Sequence, residues 1–253
     1  MTSTDSNLEE DLDDWVPERP DISHLIIEDD EPVDSIFSEK QMRLLTESLY
    51  SSWPGPGAGR TFLAAANVGV FPTPANPALV PDVMVVVDTT HLLPRTEKRN
   101  KTYLVWEHGK PPDVVVEIVS NKKGGELSTR LRGYERMRVP YYVVFDPDAY
   151  LSEDVLMCFQ MRGAELVKMD AAYFETVKLG LKVWSGTYED YAATYVRWTN
   201  HAGALIPTGK ENLEDAHQKA EDAHQKAEDA EKRAAALAAK LRELGVDPNS
   251  IEP

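Results

Sequence analysis

The chain has 253 residues, of which 42% are hydrophobic, and a formal net charge of −16. It is long enough for one domain of about 170 to 200 residues with appendages, and it holds neither an apolar run near the ~18 residues of a membrane span nor a secretory-type leader, so a cytoplasmic protein is expected. The single cysteine, Cys158, excludes an internal disulfide and a cysteine-based zinc site, and reads as a small core-facing hydrophobe.

Residues 1–36 are acidic and lack periodicity, which predicts a disordered tail in which only Ile22 to Ile27 could dock. A globular domain is expected over 37–208. Its first element is an amphipathic helix from Ser38 to about Tyr50, with Met42, Leu45 and Leu49 at helical spacing, ended by Trp53-Pro54-Gly55-Pro56-Gly57. Strands are expected over 60–71, 80–88, 101–107 and 113–120, with Glu107-His108-Gly109-Lys110 as a hairpin between the last two. A helix over 125–138 carries Leu127, Leu131, Tyr134 and Met137. The strand 139–145 follows, closed by the turn residues Asp146-Pro147-Asp148, and weaker strand signals continue through Trp184. The pattern is that of an α/β (α+β) domain in which 113–145 forms a strand–helix–strand crossover.

Beyond the domain, Glu214-Asp-Ala-His-Gln-Lys-Ala220 recurs as residues 221–227 and, degraded, as 228–234. With a period of seven, Leu213, Ala216, Ala220, Ala223, Ala227, Ala230, Ala234, Leu237, Leu241 and Leu244 line one seam, so 209–245 is expected to be a helical coiled coil and 246–253 a C-terminal tail. An alanine seam buries little area per layer, so self-association is expected to be modest. His217 and His224 lie one heptad apart and read as solvent-facing.

Two acidic residues stand out because apolar strands carry them. Glu117 sits in Val114-Val115-Val116-Glu117-Ile118-Val119, and Asp82 stands at the mouth of Val83-Met84-Val85-Val86-Val87. A carboxylate in such a run is costly to bury unless it is paired or holds a cation, so two of them suggest one metal site. Charge distribution is compatible with a polyanion partner. Residues 1–40 hold 14 acidic residues against Arg19 and Lys40, whereas residues 95–138 hold 11 Lys or Arg against 6 acids.

The ordered string Val80-Pro81-Asp82-Val83, Tyr103-Leu104-Val105-Trp106-Glu107, Pro112-Asp113-Val114-Val115-Val116-Glu117-Ile118-Val119-Ser120 and Val139-Pro140-Tyr141-Tyr142-Val143-Val144-Phe145-Asp146-Pro147 resembles the bacterial restriction-endonuclease family of the PD-(D/E)xK nuclease superfamily. The resemblance covers about residues 40–200, and the helical repeat followed by Leu244-Gly245-Val246-Asp247-Pro248 is similar to the end of many members. It implies a restriction-endonuclease-like mixed sheet flanked by helices. It also implies that Asp82 and Glu117 bind Mg²⁺ or Mn²⁺ and that the substrate is DNA. Oxygen ligands of this kind suit magnesium.

One departure concerns lysine. The superfamily pattern places it two residues after the glutamate, where this chain has Val119; in the resembling family it commonly sits on the following helix four residues before a tyrosine, where this chain has Arg130 before Tyr134. Arginine supplies positive charge but cannot act as a base. Lys122 and Lys123, in the loop after the strand, are alternative amines for phosphate. Glu47 on the first helix and Asp113 at the start of the Glu117 strand are further acidic candidates, with surface and turn roles as the plainer readings. The expected function is a metal-dependent DNA endonuclease with Asp82, Glu117, Arg130 and Lys123 at its centre, working as a homodimer through the C-terminal helix. The alternatives are a nuclease-fold protein that binds nucleic acid or a partner without cleaving, and a scaffold whose output is the helical tail.

Overall fold

The computed structural model describes residues 19–25, 35–89, 97–122, 125–245 and 247. The chain divides into two compact units, residues 1–39 with 60–171 and residues 40–59 with 172–253.

The first unit is built on a six-stranded mixed sheet in the order β1-β3-β5-β6-β7-β8. Its members are β1 (Phe62–Ala66), β3 (Val83–Val87), β5 (Val114–Ile118), β6 (Tyr141–Phe145), β7 (Leu156–Arg162) and β8 (Glu165–Lys168). Only β5 and β6 run parallel, and the helix between them makes the expected crossover. Every residue of β3, β5 and β6 is buried, which explains why they read as unbroken apolar runs instead of alternating ones. A single element separates β5 from β6: a π-helical turn, Glu126–Arg130, that passes directly into an α-helix, Leu131–Met137. The bond from Arg130 N to Gly125 O at 2.9 Å closes the wide turn. One face of the sheet packs Met84, Val86, Val115, Val119, Tyr142 and Val144 against Tyr134 and Met137 of that helix. Asp146 is fully buried and accepts from the backbone N of Tyr150 and Leu151 at 2.9 and 2.7 Å, closing the expected turn.

Two expectations are corrected. The strand expected over 60–71 is two strands, β1 and β2 (Val70–Phe71), because the chain turns at Asn67, whose φ is +52°. The hairpin expected at Glu107-His108-Gly109-Lys110 does not form. Val105–His108 make one helical turn (α2) ended by left-handed Gly109, and the strand before it, β4 (Tyr103–Leu104), pairs in parallel with β2 and not with β5. Periodicity could not separate these outcomes, because a two-residue strand leaves no alternation to read. Ile22 and Leu25 dock as expected, buried against Phe71 and Leu104, whereas Ile26 and Ile27 lie outside the described residues.

The second unit holds a three-stranded antiparallel sheet in the order β11-β10-β9, from β9 (Tyr173–Phe174), β10 (Leu179–Tyr188) and β11 (Tyr191–Thr199). Helix α1 (Ile36–Ser52) continues into this unit, where Leu45 and Leu49 are fully buried and Met42 nearly so. Gln41 exchanges two 2.9 Å bonds with the backbone of Val196, and Trp198 Nε1 donates to Leu45 O at 2.8 Å. With the crossover α-helix as α3, the last helix is α4 (Gly209–Glu243), none of whose side chains is buried. Thr208 and Glu211 close its first turn as a reciprocal capping box. The molecule is thus a mixed α+β protein with a long C-terminal helix.

Candidate active site

Antiparallel pairing of β3 with β5 sets Val83 opposite Val116, so the next step outward sets Asp82 opposite Glu117. The two acids, 35 residues apart in sequence, meet because the ladder brings the start of one strand to the end of the other. Asp82 is half-buried, and its Oδ2 accepts from the backbone N of Ile118 at 2.6 Å. Glu117 is 2% exposed. Both of its oxygens are engaged: Tyr134 Oη donates to Oε1 at 2.7 Å, and Arg130 Nη1 donates to Oε2 at 2.6 Å.

Helix α3 is held against this corner by close packing. A Cβ on Gly133 would stand 2.8 Å from a terminal carbon of Leu79, and Arg130 Nη1 also donates to Val80 O at 3.1 Å. The segment leading to Asp82 is therefore fastened to the helix that carries Arg130 and Tyr134. Those two residues share a face because they are four apart. The π-turn that ends at Arg130 is the kind of local widening often found at functional positions.

The electrostatics leave the corner short of positive charge. Burial, then the neighbouring Asp82, push the Glu117 carboxyl up to about 8, against the opposing pull of Arg130 and Tyr134. The Tyr134 and Tyr142 hydroxyls are both driven up by burial first and then by the charge of Glu117. Neither is a proton acceptor at neutral pH. Tyr142 is committed elsewhere, donating to Glu126 O at 2.8 Å.

The other candidates have partners of their own or lie outside the described residues. Asp113 lies at the opposite end of β5, where both oxygens accept from Lys110 Nζ at 2.8 and 2.7 Å and one also accepts from Val87 N. Glu47 belongs to the second unit, where its Oε1 accepts from Gly209 N at 2.8 Å and Ser51 Oγ at 2.5 Å. Val119, at the usual lysine position, is 2% exposed within the core. Lys122 stands 5.9 Å from the ring centre of Tyr150. Lys123 lies outside the described residues. By sequence Tyr134 reads as a core residue of its helix, and its spacing of four from Arg130 is the signal that sets the two on one face. Among the described residues no group of three or more His, Cys, Asp or Glu gathers as a metal cluster, so the corner offers two carboxylates. Among the same residues no helix is long and apolar enough to cross a membrane.

A mixed sheet with one parallel crossover, flanked by helices and presenting a Pro-Asp strand mouth beside a strand glutamate, defines a protein of the restriction-endonuclease-like class. Residues 10–165 match the family described as Uma2, putative restriction endonuclease, and the chain belongs to that family. That sets it among the restriction-endonuclease-like nucleases. No curated protein matches the chain.

Proposed function

We propose that the protein is a divalent-cation-dependent endonuclease that hydrolyses phosphodiester bonds of DNA in the cytoplasm, with Asp82 and Glu117 holding the cation. The observation that carries this reading is the buried Glu117 carboxyl set opposite Asp82 by the register of β3 and β5. The donor set fits Mg²⁺ or Mn²⁺, since both acids offer hard oxygen ligands and substrate phosphate and water complete such sites. When bound, the cation lowers the pKa of a water and offsets charge on the reacting phosphate.

The chain's own residues do the rest. Tyr134 orients Glu117 through Oε1, leaving Oε2 turned towards Arg130. Arg130, 42% exposed at its side chain, reaches from this pair to solvent, where its guanidinium can take a phosphate oxygen and stabilise the negative charge that grows there in the transition state. It stays protonated, so it is no base. Lys123, five residues beyond the end of β5 in sequence, is assigned a further phosphate contact.

A homodimer formed through α4 belongs to the same proposal. Leu213, Leu237 and Leu244 on its seam are 59, 62 and 77% exposed, an apolar stripe that a second copy would cover. The competing reading is a nuclease-fold protein that binds without cleaving. It is favoured by the burial of Val119 at the usual lysine position and by the engagement of both Glu117 oxygens. A plasmid-nicking assay with Mg²⁺, with Mn²⁺ and with chelator decides between them. Cation-dependent nicking that Glu117→Gln abolishes is expected; a folded wild-type chain that binds DNA but nicks nothing with either cation is the binder.

A further inference from the structure

The outer face of α3 carries a second feature. At 100° per residue, Arg132 and Arg136 lie within 40° of each other and each about 160° from Tyr134, on the side of the helix away from Glu117. Together with Arg138, Glu135 and Ala164 they line an open cleft of about 520 Å³. Arg132 and Arg136 are exposed and make no hydrogen bond or ion pair among the described residues. Arg138, left-handed at φ +63°, is fixed with Nη1 donating to Gly163 O at 2.7 Å. The one acid of the cleft, Glu135, is already committed, its Oε1 accepting from Leu166 N at 3.0 Å.

Three guanidinium groups and one carboxylate around one concavity give its lining a balance of +2, out of keeping with a chain whose net charge is −16. A face that served solubility alone would carry the prevailing sign or interleave both signs. Arginine presents a planar fork of donors that matches phosphate oxygens two at a time. We infer that this cleft is a docking site for the phosphate groups of a nucleic-acid strand, distinct from the carboxylate pair and separated from it by the thickness of one helix. The inference rests on the proposed nuclease function for its ligand class. It assigns Arg132 and Arg136 to holding the substrate and not to its cleavage.

The test is binding of a fluorescently labelled DNA duplex to the full chain, followed by anisotropy in EDTA between 50 and 200 mM salt. Each neutralised phosphate contributes about 0.9 to the slope of log affinity against log salt. Arg132→Gln with Arg136→Gln should therefore flatten the slope by about 1.8 and weaken binding roughly tenfold or more near 0.1 M salt. Arg132→Lys with Arg136→Lys should keep most of the slope, and Lys226→Gln with Arg233→Gln, which removes the same charge from α4, should leave it unchanged. Wild-type affinity and slope in the Arg132/Arg136 glutamine variant would overturn the cleft while leaving the nuclease reading standing. An equal loss from the α4 variant would also overturn it, by showing that net charge alone governs binding. Failure of the wild-type chain to bind duplex at any salt, in EDTA and in Ca²⁺ alike, would remove both.

Discussion

The guanidinium of Arg130 lies 2.6 Å from Oε2 of Glu117, the oxygen of that carboxyl which the Tyr134 hydroxyl does not engage. Under the proposed function, one permanently charged side chain and a cation would share a single carboxyl group. Two unit charges about 4 Å apart interact by roughly 4 kcal/mol at an effective dielectric near 20, an upper range for their mutual repulsion here. Arg130→Met should accordingly bind Mn²⁺ about tenfold more tightly than wild type in the DNA-free protein, measured by calorimetry. The same change should lower cleavage about 10²-fold with little loss of DNA affinity, since its charge acts on the transition state. Unchanged Mn²⁺ affinity would show that guanidinium and cation do not share Glu117.

Cation binding should stabilise the fold through the acidic pair. At a hundredfold excess over its dissociation constant, a ligand that binds only the folded state adds about 2.7 kcal/mol. Thermal melting in Mn²⁺ against EDTA should show the rise in wild type and not in Asp82→Asn. An equal rise in both would place the cation elsewhere.

Tyr134 is a positioning residue. Removing its hydroxyl leaves Oε1 of a buried carboxylate without its donor, which costs about 1 to 3 kcal/mol. Tyr134→Phe should lower the denaturant midpoint without altering the dependence on denaturant, and should reduce kcat while KM stays close to wild type. A loss confined to KM would assign Tyr134 to substrate contact.

In the second unit, Arg197 is 3% exposed and bridges to Glu211 at 2.6 and 2.8 Å. The hydrogen bonds from Arg197, then that from the backbone of Thr208, hold the Glu211 carboxyl below its ordinary range. A group with a lowered folded pKa contributes stability that is present above its unfolded value near 4.5 and is lost as pH falls through the folded value. Acid titration should therefore loosen this unit below about pH 4.5, and Glu211→Gln should flatten that limb of the stability profile. An unaltered acid limb would show that the pair titrates alike in folded and unfolded chains.

The same pair decides where the tail can be cut. Truncation at Thr208 would strip Glu211 from a buried arginine, so a chain ending at Gln218 is the proper test of α4. It should retain its fold and its response to Mn²⁺, scatter light as a smaller species, and shift products from double-strand breaks towards nicks. Unchanged mass and products would move the dimer contact away from the heptads.

The local elements and the identity of the acids were legible in the sequence because each has a short-range cause. Helix α1 announced itself through the spacing of Met42, Leu45 and Leu49, the crossover through two apolar runs around a helical pattern, and Asp82 and Glu117 through the cost of a carboxylate in a valine strand. The long helix followed from its heptads, although no part of that pattern could say where its first turn is fastened. Tertiary structure decided what pairs with what. The division into two units, the separation of β4 from β5, the commitment of Asp113 to Lys110 and of Glu47 to Gly209, and the double engagement of Glu117 all depend on segments far apart in sequence. Strand register and helix packing bring such segments together, and hydrogen bonds made at that range leave no period in the chain to read.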